Sequence, residues 1–174
     1  MKFTDSPEIN LKIKDKTLSL QQDNSSFHVG TSIWSGSLVL SKFLDRWTPL
    51  STSPATTPTR YSSLLNFHNR RAIELGTGCG VTGMALYLLG LADIVLTDIH
   101  PRFFIGVTRI KLMGSILPFD YVIAADVVYI EESVGALVKA MEMLVKDDGV
   151  VLLGYQLRSP EADKLFWETL WRGF

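Results

Sequence analysis

With only one cysteine, Cys79, in 174 residues, the chain can form no intramolecular disulfide, which excludes a small disulfide-stapled scaffold. Neither charge sign is in excess, since 17 Lys and Arg stand against 18 Asp and Glu for a net charge of -1. Holding a phosphate backbone by counterion release needs a basic field, so no nucleic-acid partner is expected. The start Met1-Lys2-Phe3-Thr4-Asp5 lacks the apolar stretch of a secretory signal. The longest apolar run, 83–92, is broken by Asp93 well short of the ~18–20 residues that span a bilayer. Together these absences predict a soluble intracellular protein, cytoplasmic or nuclear, with no membrane contact. His28, His68 and His100 have no metal-ligand spacing with one another or with Cys79, and no metal is expected.

What the chain does have is 47% apolar residues and the length of one domain, enough for one core. In the first twenty residues Ile9, Leu11 and Ile13 alternate with Asn10, Lys12 and Lys14, and Leu18 and Leu20 resume the alternation, which predicts a β-hairpin. Its outward lysines, Lys12 and Lys14, read as a solvated edge rather than a recognition stripe. From Trp34 to Trp47 the residues Val39, Leu40, Phe43, Leu44 and Trp47 fall at helical spacing and predict an amphipathic helix. Residues 51–59, made only of Ser, Thr, Pro and Ala with helix-breaking prolines at Pro54 and Pro58, are expected to form a flexible loop.

After that loop, short continuous apolar runs alternate with helical stretches: 71–75, 81–89, 94–97, 121–129, a helix carrying Val134, Leu137, Val138, Met141 and Leu144, and 150–155. Continuous apolar strands are buried on both faces, so the class is α/β with a doubly wound, mostly parallel sheet. Ser159-Pro160 then offers an N-cap and first-turn proline for a last helix. One domain over 1–174 is expected: a hairpin and helix in 1–50, the loop in 51–60, and the α/β core in 70–174.

The stretch Ala72-Ile73-Glu74-Leu75-Gly76-Thr77-Gly78-Cys79-Gly80-Val81-Thr82-Gly83 is a strand running into a glycine turn and then a helix. Glycines let backbone approach a ligand closely, and the helix start supplies free N–H groups. Gly78-x-Gly80-x-x-Gly83 fits the dinucleotide fingerprint, with Asp98 about twenty residues on as a ribose-binding acid. Glu74 argues against NAD, because a carboxylate there would repel a pyrophosphate. It suits S-adenosylmethionine, whose sulfonium and amino group are cationic. Asp98 can hold two ribose hydroxyls under either reading. A plain strand-to-helix turn is the bland alternative, with Cys79 as a small turn residue.

With these residues the sequence resembles the class I, seven-β-strand methyltransferases. Ala124-Ala125-Asp126-Val127-Val128-Tyr129 narrows the resemblance to the methyltransferase-like protein-lysine methyltransferases known as family 16, and Gly30-Thr31-Ser32-Ile33-Trp34 is similar to that family's tryptophan motif. The resemblance implies S-adenosylmethionine as cofactor and a protein presenting a lysine as substrate. It implies that Trp34 lines the cofactor pocket, that Glu74, Gly76, Thr77, Gly78 and Gly80 hold the methionine end, and that Asp98 holds the ribose. Asp126 and Tyr129 would line the methyl-transfer site, and Ala125 would be among the cofactor-binding residues. A substrate lysine, with a pKa of about 10.4, must present a neutral amine, and a carboxylate can bind, orient and help deprotonate it. The structural alternatives are a strand-end cap for Asp126 and core packing for Tyr129. An Asn-Pro-Pro-Tyr-type motif, suited to planar amide or base nitrogens, is absent.

The family's pattern is incomplete. Between Asp98 and Asp120 lie 21 residues, too few for the helix, edge strand and helix expected there, since one βαβ unit takes about 30. The adenine contacts that this edge strand's loop would supply have no counterpart, and the final two strands also look absent, as in a shortened form. Three readings follow: an active protein-lysine methyltransferase, a degenerate form that binds or regulates a partner, and an NAD-dependent oxidoreductase.

Overall fold

Ile9, Leu11 and Ile13 point inward and their polar neighbours outward in β1 (Glu8–Ile13), which pairs antiparallel with β2 (Lys16–Gln21). The computed structural model of the protein describes residues 5–26, 28–48, 61–91, 93–98 and 118–173. Lys14, at φ 52° in the tight turn, is not a solvated edge lysine. Its ammonium donates to the carbonyls of Asp45 and Thr48, and its N–H donates to Asp45 Oδ1 at 2.9 Å, which ties the hairpin to the following helix.

That helix, α1 (Ser35–Trp47), buries Gly36, Leu38, Leu40, Ser41 and Leu44. Val39, expected on the inner face, is 68% exposed, and Leu38 takes its place, because the buried stripe is set by the hairpin on one side and the sheet on the other. Residues 51–60, the expected loop, lie outside the described residues.

The core then builds as β3 (Arg71–Leu75), α2 (Val81–Leu88), β4 (Asp93–Thr97), β5 (Phe119–Ala125), α3 (Glu131–Leu144), β6 (Val145–Gly154) and α4 (Pro160–Gly173). The described sheet has the order β4-β3-β5-β6, all parallel. Six of the seven residues of β5 are buried, as the unbroken apolar run demands of a central strand. The apolar run continues to Tyr129, but the strand stops at Ala125, and Asp126, at the strand end where the sequence places it, turns the chain with φ 55°. At its other end β6 starts five residues earlier than expected, at Val145, directly from α3. The expected cap of α4 is there, since Ala162 N–H donates to Ser159 Oγ at 3.1 Å.

Two apolar layers cover the sheet. On one face Leu40 and Leu44 of α1 and Leu86 of α2 pack with Leu65, Phe67 and Tyr121; on the other, Val134, Val138 and Met141 of α3 and Phe166 of α4 pack on Val122 and Ala124. Among the described residues no helix is long and apolar enough to cross a membrane. The chain runs outward from β3 to β4, then returns to β5 on the other side of β3. The reversal opens a crevice beyond the carboxyl ends of β3 and β5, where ligands bind in sheets of this kind.

Candidate active site

Into that crevice the strand ends deliver Glu74, Leu75, Thr97, Asp98, Ala125 and Asp126, and the result is a cavity of about 940 Å³. All but one of the sequence-predicted site residues line it: Trp34, Glu74, Gly76, Thr77, Gly78, Asp98, Ala125, Asp126 and Tyr129. The exception is Gly80. It stands behind the cavity wall as the residue preceding α2, with φ 73°, where its freedom lets the strand turn into a helix.

The glycine turn is fixed from beneath. Thr77 N–H donates to Thr97 O at 2.9 Å, and Gly80 N–H returns to Thr77 O at 2.8 Å. Gly78 N–H donates to Asp98 Oδ2 at 2.8 Å, so the acid at the end of β4 is a fastening of the turn as well as part of the wall. A side chain at Gly78 would stand 3.1 Å from the Gly30 carbonyl, in a backbone conformation, φ 49°, that disfavours one. The turn and the 28–34 segment therefore approach more closely than any residue but glycine allows.

Glu74 is 1% exposed. Thr77 Oγ1 donates to its Oε2 at 2.7 Å and Gly83 N–H donates to the same oxygen at 3.0 Å. Burial pushes its pKa up to about 7, against the pull of those two hydrogen bonds, and the nearby Asp98 charge adds to the rise. Its charge near neutral pH is therefore conditional on what stands opposite. Burial, with Asp98, also pushes the Cys79 thiol up to about 11, so it stays protonated, with Sγ 3.4 Å from Gly30 O.

Across the crevice from the glycine turn, the left-handed turn at Asp126 swings its carboxylate beneath the start of α1. Gly36 N–H donates to Oδ2 at 2.6 Å and Gln156 N–H to Oδ1 at 3.1 Å, while Arg158 Nη2 lies 3.5 Å from Oδ1. The Asp126 side chain is 2% exposed, so its carboxylate also does the work of a helix cap. Tyr129, three residues on, is part of the cavity wall and 37% exposed. Trp34 is held by its indole N–H, which donates to Val29 O at 2.8 Å, and carries the Arg158 guanidinium 5.0 Å above its ring centre.

Sequence reasoning missed Arg158, Gly36 and Gln156. Gly36 shows no local signal, and an arginine and a glutamine between a strand and a capped helix read as solvated loop. The pairing of β5 with β6 brings Gln156 and Arg158 to Asp126, and the packing of α1 on the sheet brings Gly36.

The pattern that defines the lysine methyltransferase family, family 16, matches residues 12–112 and 107–172. Protein N-lysine methyltransferase METTL21A of Danio rerio is 27% identical over 179 residues, 90% of this chain and 74% of the relative. The METTL21A protein of Mus musculus is 25% identical over 190 residues, 97% of this chain and 79% of the relative. That of Xenopus tropicalis is 24% identical over 177 residues. With the glycine turn, the two strand-end acids and the tryptophan segment meeting at one cavity, and with the family pattern running through nearly the whole chain, this protein belongs to the lysine methyltransferase family.

Proposed function

We propose that the chain transfers a methyl group from S-adenosylmethionine to the side-chain amine of a lysine on a protein substrate. The observation that carries this reading is the convergence of Trp34, the Gly76–Gly78 turn, Asp98, Asp126 and Tyr129 on one cavity. Its size, about 940 Å³, is within the range of pockets that take a cofactor-sized ligand. The residues suit the group: the backbone of Gly76, Thr77 and Gly78 lines the cavity in a turn with positive φ at both glycines, Glu74 lines the same wall to oppose a cation, and Asp98 supplies an acceptor for ribose hydroxyls.

When bound, S-adenosylmethionine supplies a methyl group on a cationic sulfur. The protein's own contribution is placement. Glu74 and the turn hold the amino-acid end, Asp98 the ribose, and Trp34 one wall. On the other side Asp126 draws in the lysine ammonium and, directly or through water, takes up the proton the amine must lose, since an unperturbed lysine has a pKa of about 10.4. Tyr129, at the edge of the cavity, guides the amine by its ring or hydroxyl.

Calorimetry with S-adenosylhomocysteine, followed by transfer of radiolabelled methyl into a lysate, tests the reading. Cofactor binding with label on lysine is the expected result. Binding without label makes the chain a partner-binding form of the family, and NADH binding in place of S-adenosylhomocysteine returns it to oxidoreductase chemistry.

A further inference from the structure

Among the described residues Arg158 is the cation paired with Asp126, and its surroundings match those required of a substrate lysine. One face of the guanidinium lies over the Trp34 ring at 5.0 Å, inside the range of a cation–π contact. Nη2 is 3.5 Å from Asp126 Oδ1, and the side chain, 18% exposed, lines the same cavity as Tyr129. The fit is poor in one respect. Nη2 is buried and finds no hydrogen-bond partner among the described residues, because 3.5 Å is beyond good hydrogen-bond length. Asp126 already receives two backbone N–H donors from Gly36 and Gln156, which fix the carboxylate whether Arg158 is present or absent. An acid held rigidly by others, an aromatic face beside it, and a loosely paired cation between them make a preformed cation site with a replaceable occupant.

We infer that Trp34 and Asp126 form the acceptor-side ammonium site, and that Arg158 occupies it as an internal stand-in that the substrate lysine must displace. This rests on the lysine methyltransferase reading and adds a gating residue to it. Displacement costs little, since a buried guanidinium with an unpaired nitrogen regains full hydration on swinging out. It also sets a requirement on the substrate, because a lysine that cannot bring compensating contacts will not compete with a tethered cation at high effective concentration.

The probe is n-butylammonium, the lysine side chain without its backbone. Arg158→Ala should bind it at least tenfold more tightly than the unmutated chain, and Arg158→Lys should resemble the unmutated chain. Adding Asp126→Asn to Arg158→Ala should abolish the gain. In the unmutated chain, saturating n-butylammonium should shift the Arg158 Nε–H resonance toward that of a solvent-exposed arginine, a measurement independent of how any variant folds. An unmoved Arg158 resonance, or Arg158→Ala that keeps its S-adenosylhomocysteine affinity yet binds n-butylammonium no better, overturns the inference. Failure of the methyltransferase reading is separate, since it shows in the unmutated chain as absence of S-adenosylhomocysteine binding or of methyl transfer into lysate protein.

Discussion

The amide of Gly78 and the carboxylate of Asp98, twenty residues apart, meet at 2.8 Å, so the end of β4 fastens the turn that follows β3. One acid thereby shapes the turn and furnishes the cavity wall beside it. The same economy recurs across the crevice, where Asp126 both caps α1 and faces the acceptor side. Substitutions at either acid must therefore be read through two readouts, stability and ligand affinity.

Asp98→Ala leaves the Gly78 N–H without its charged partner and removes the proposed ribose contact. A hydrogen bond to a charged group is worth about 1.5–3 kcal/mol, so S-adenosylhomocysteine affinity should fall roughly tenfold to a hundredfold. Asp98→Asn, whose carbonyl can still accept from Gly78, should lose less. Adenosine should weaken in parallel with S-adenosylhomocysteine in titration calorimetry. Loss confined to methionine-end analogues would move Asp98 to another part of the ligand.

Glu74 predicts a slope of stability with pH. Its folded pKa, about 7, lies above the ordinary 4.5, so between those values the unfolded chain gives up a proton that the folded chain retains. The contribution is fully present below pH 4.5 and is lost as pH rises through about 7, a change on the order of 3 kcal/mol. Thermal melts of Glu74→Gln, whose amide oxygen keeps the Thr77 and Gly83 bonds, should lack that decline. The α-ammonium of S-adenosylhomocysteine, set opposite Glu74, favours its ionised form, so this ligand should bind the parent more tightly at pH 8 than at pH 6, and Glu74→Gln with little difference. Identical pH profiles for parent and variant would remove Glu74 from the binding site.

Much of this was legible in the sequence because it depends on local patterns. The alternation of Ile9, Leu11 and Ile13, the unbroken run of β5, and the spacing from Glu74 through the glycines to Asp98 each report one element or one turn. What was not legible depends on packing between distant segments. Val39 and Leu38 exchange roles because the hairpin, not helical periodicity, decides which flank of α1 is covered. The Gly36 N–H that holds the Asp126 carboxylate comes from ninety residues away. The raised pKa of Glu74 follows from its burial, which no spacing reveals; a strand-end carboxylate looks charged in sequence. Arg158 is the same kind of case, since only the tertiary fold sets it over Trp34.

At the opposite end of the sheet Asp120 ties the starts of three strands. It accepts from Arg71 N–H at 2.8 Å, Arg70 at 2.9 Å and Lys146 at 2.9 Å. Burial alone would raise its pKa, but those donors outweigh it and hold it at about 2, below the ordinary 3.8. Because the folded value is depressed, its stabilisation is present above pH 3.8 and disappears as pH falls through about 2. Asp120→Asn should melt well below the parent at pH 6 and approach it near pH 2. S-adenosylhomocysteine affinity at neutral pH should stay within twofold, since the residue lies outside the cavity. A melting difference that persists undiminished at pH 2 would show that the lost charge is not the cause.

The last prediction moves the acceptor-side carboxylate without changing it. A methyl group at Gly36 would fall 2.6 Å from Asp126 Oδ2 and 2.7 Å from its Cγ, closer than the atoms can stand. The carboxylate is buried and must shift to make room, while replacing glycine by alanine within a helix gains up to about 1 kcal/mol in propensity. Those effects oppose each other, so the melting temperature of Gly36→Ala should change little. Methyl transfer into lysate protein should nonetheless fall at least tenfold, because an acid displaced by a fraction of an ångström no longer meets the amine in line. Asp126→Asn, which keeps the shape and tolerates φ 55° but removes the charge, should lose roughly a hundredfold, as befits about 3 kcal/mol of charge-assisted contact. Both variants should bind S-adenosylhomocysteine within threefold of the parent. Should Gly36→Ala transfer methyl at the parent rate, the position of the Asp126 carboxylate is immaterial to the reaction, and its capping of α1 is its whole role.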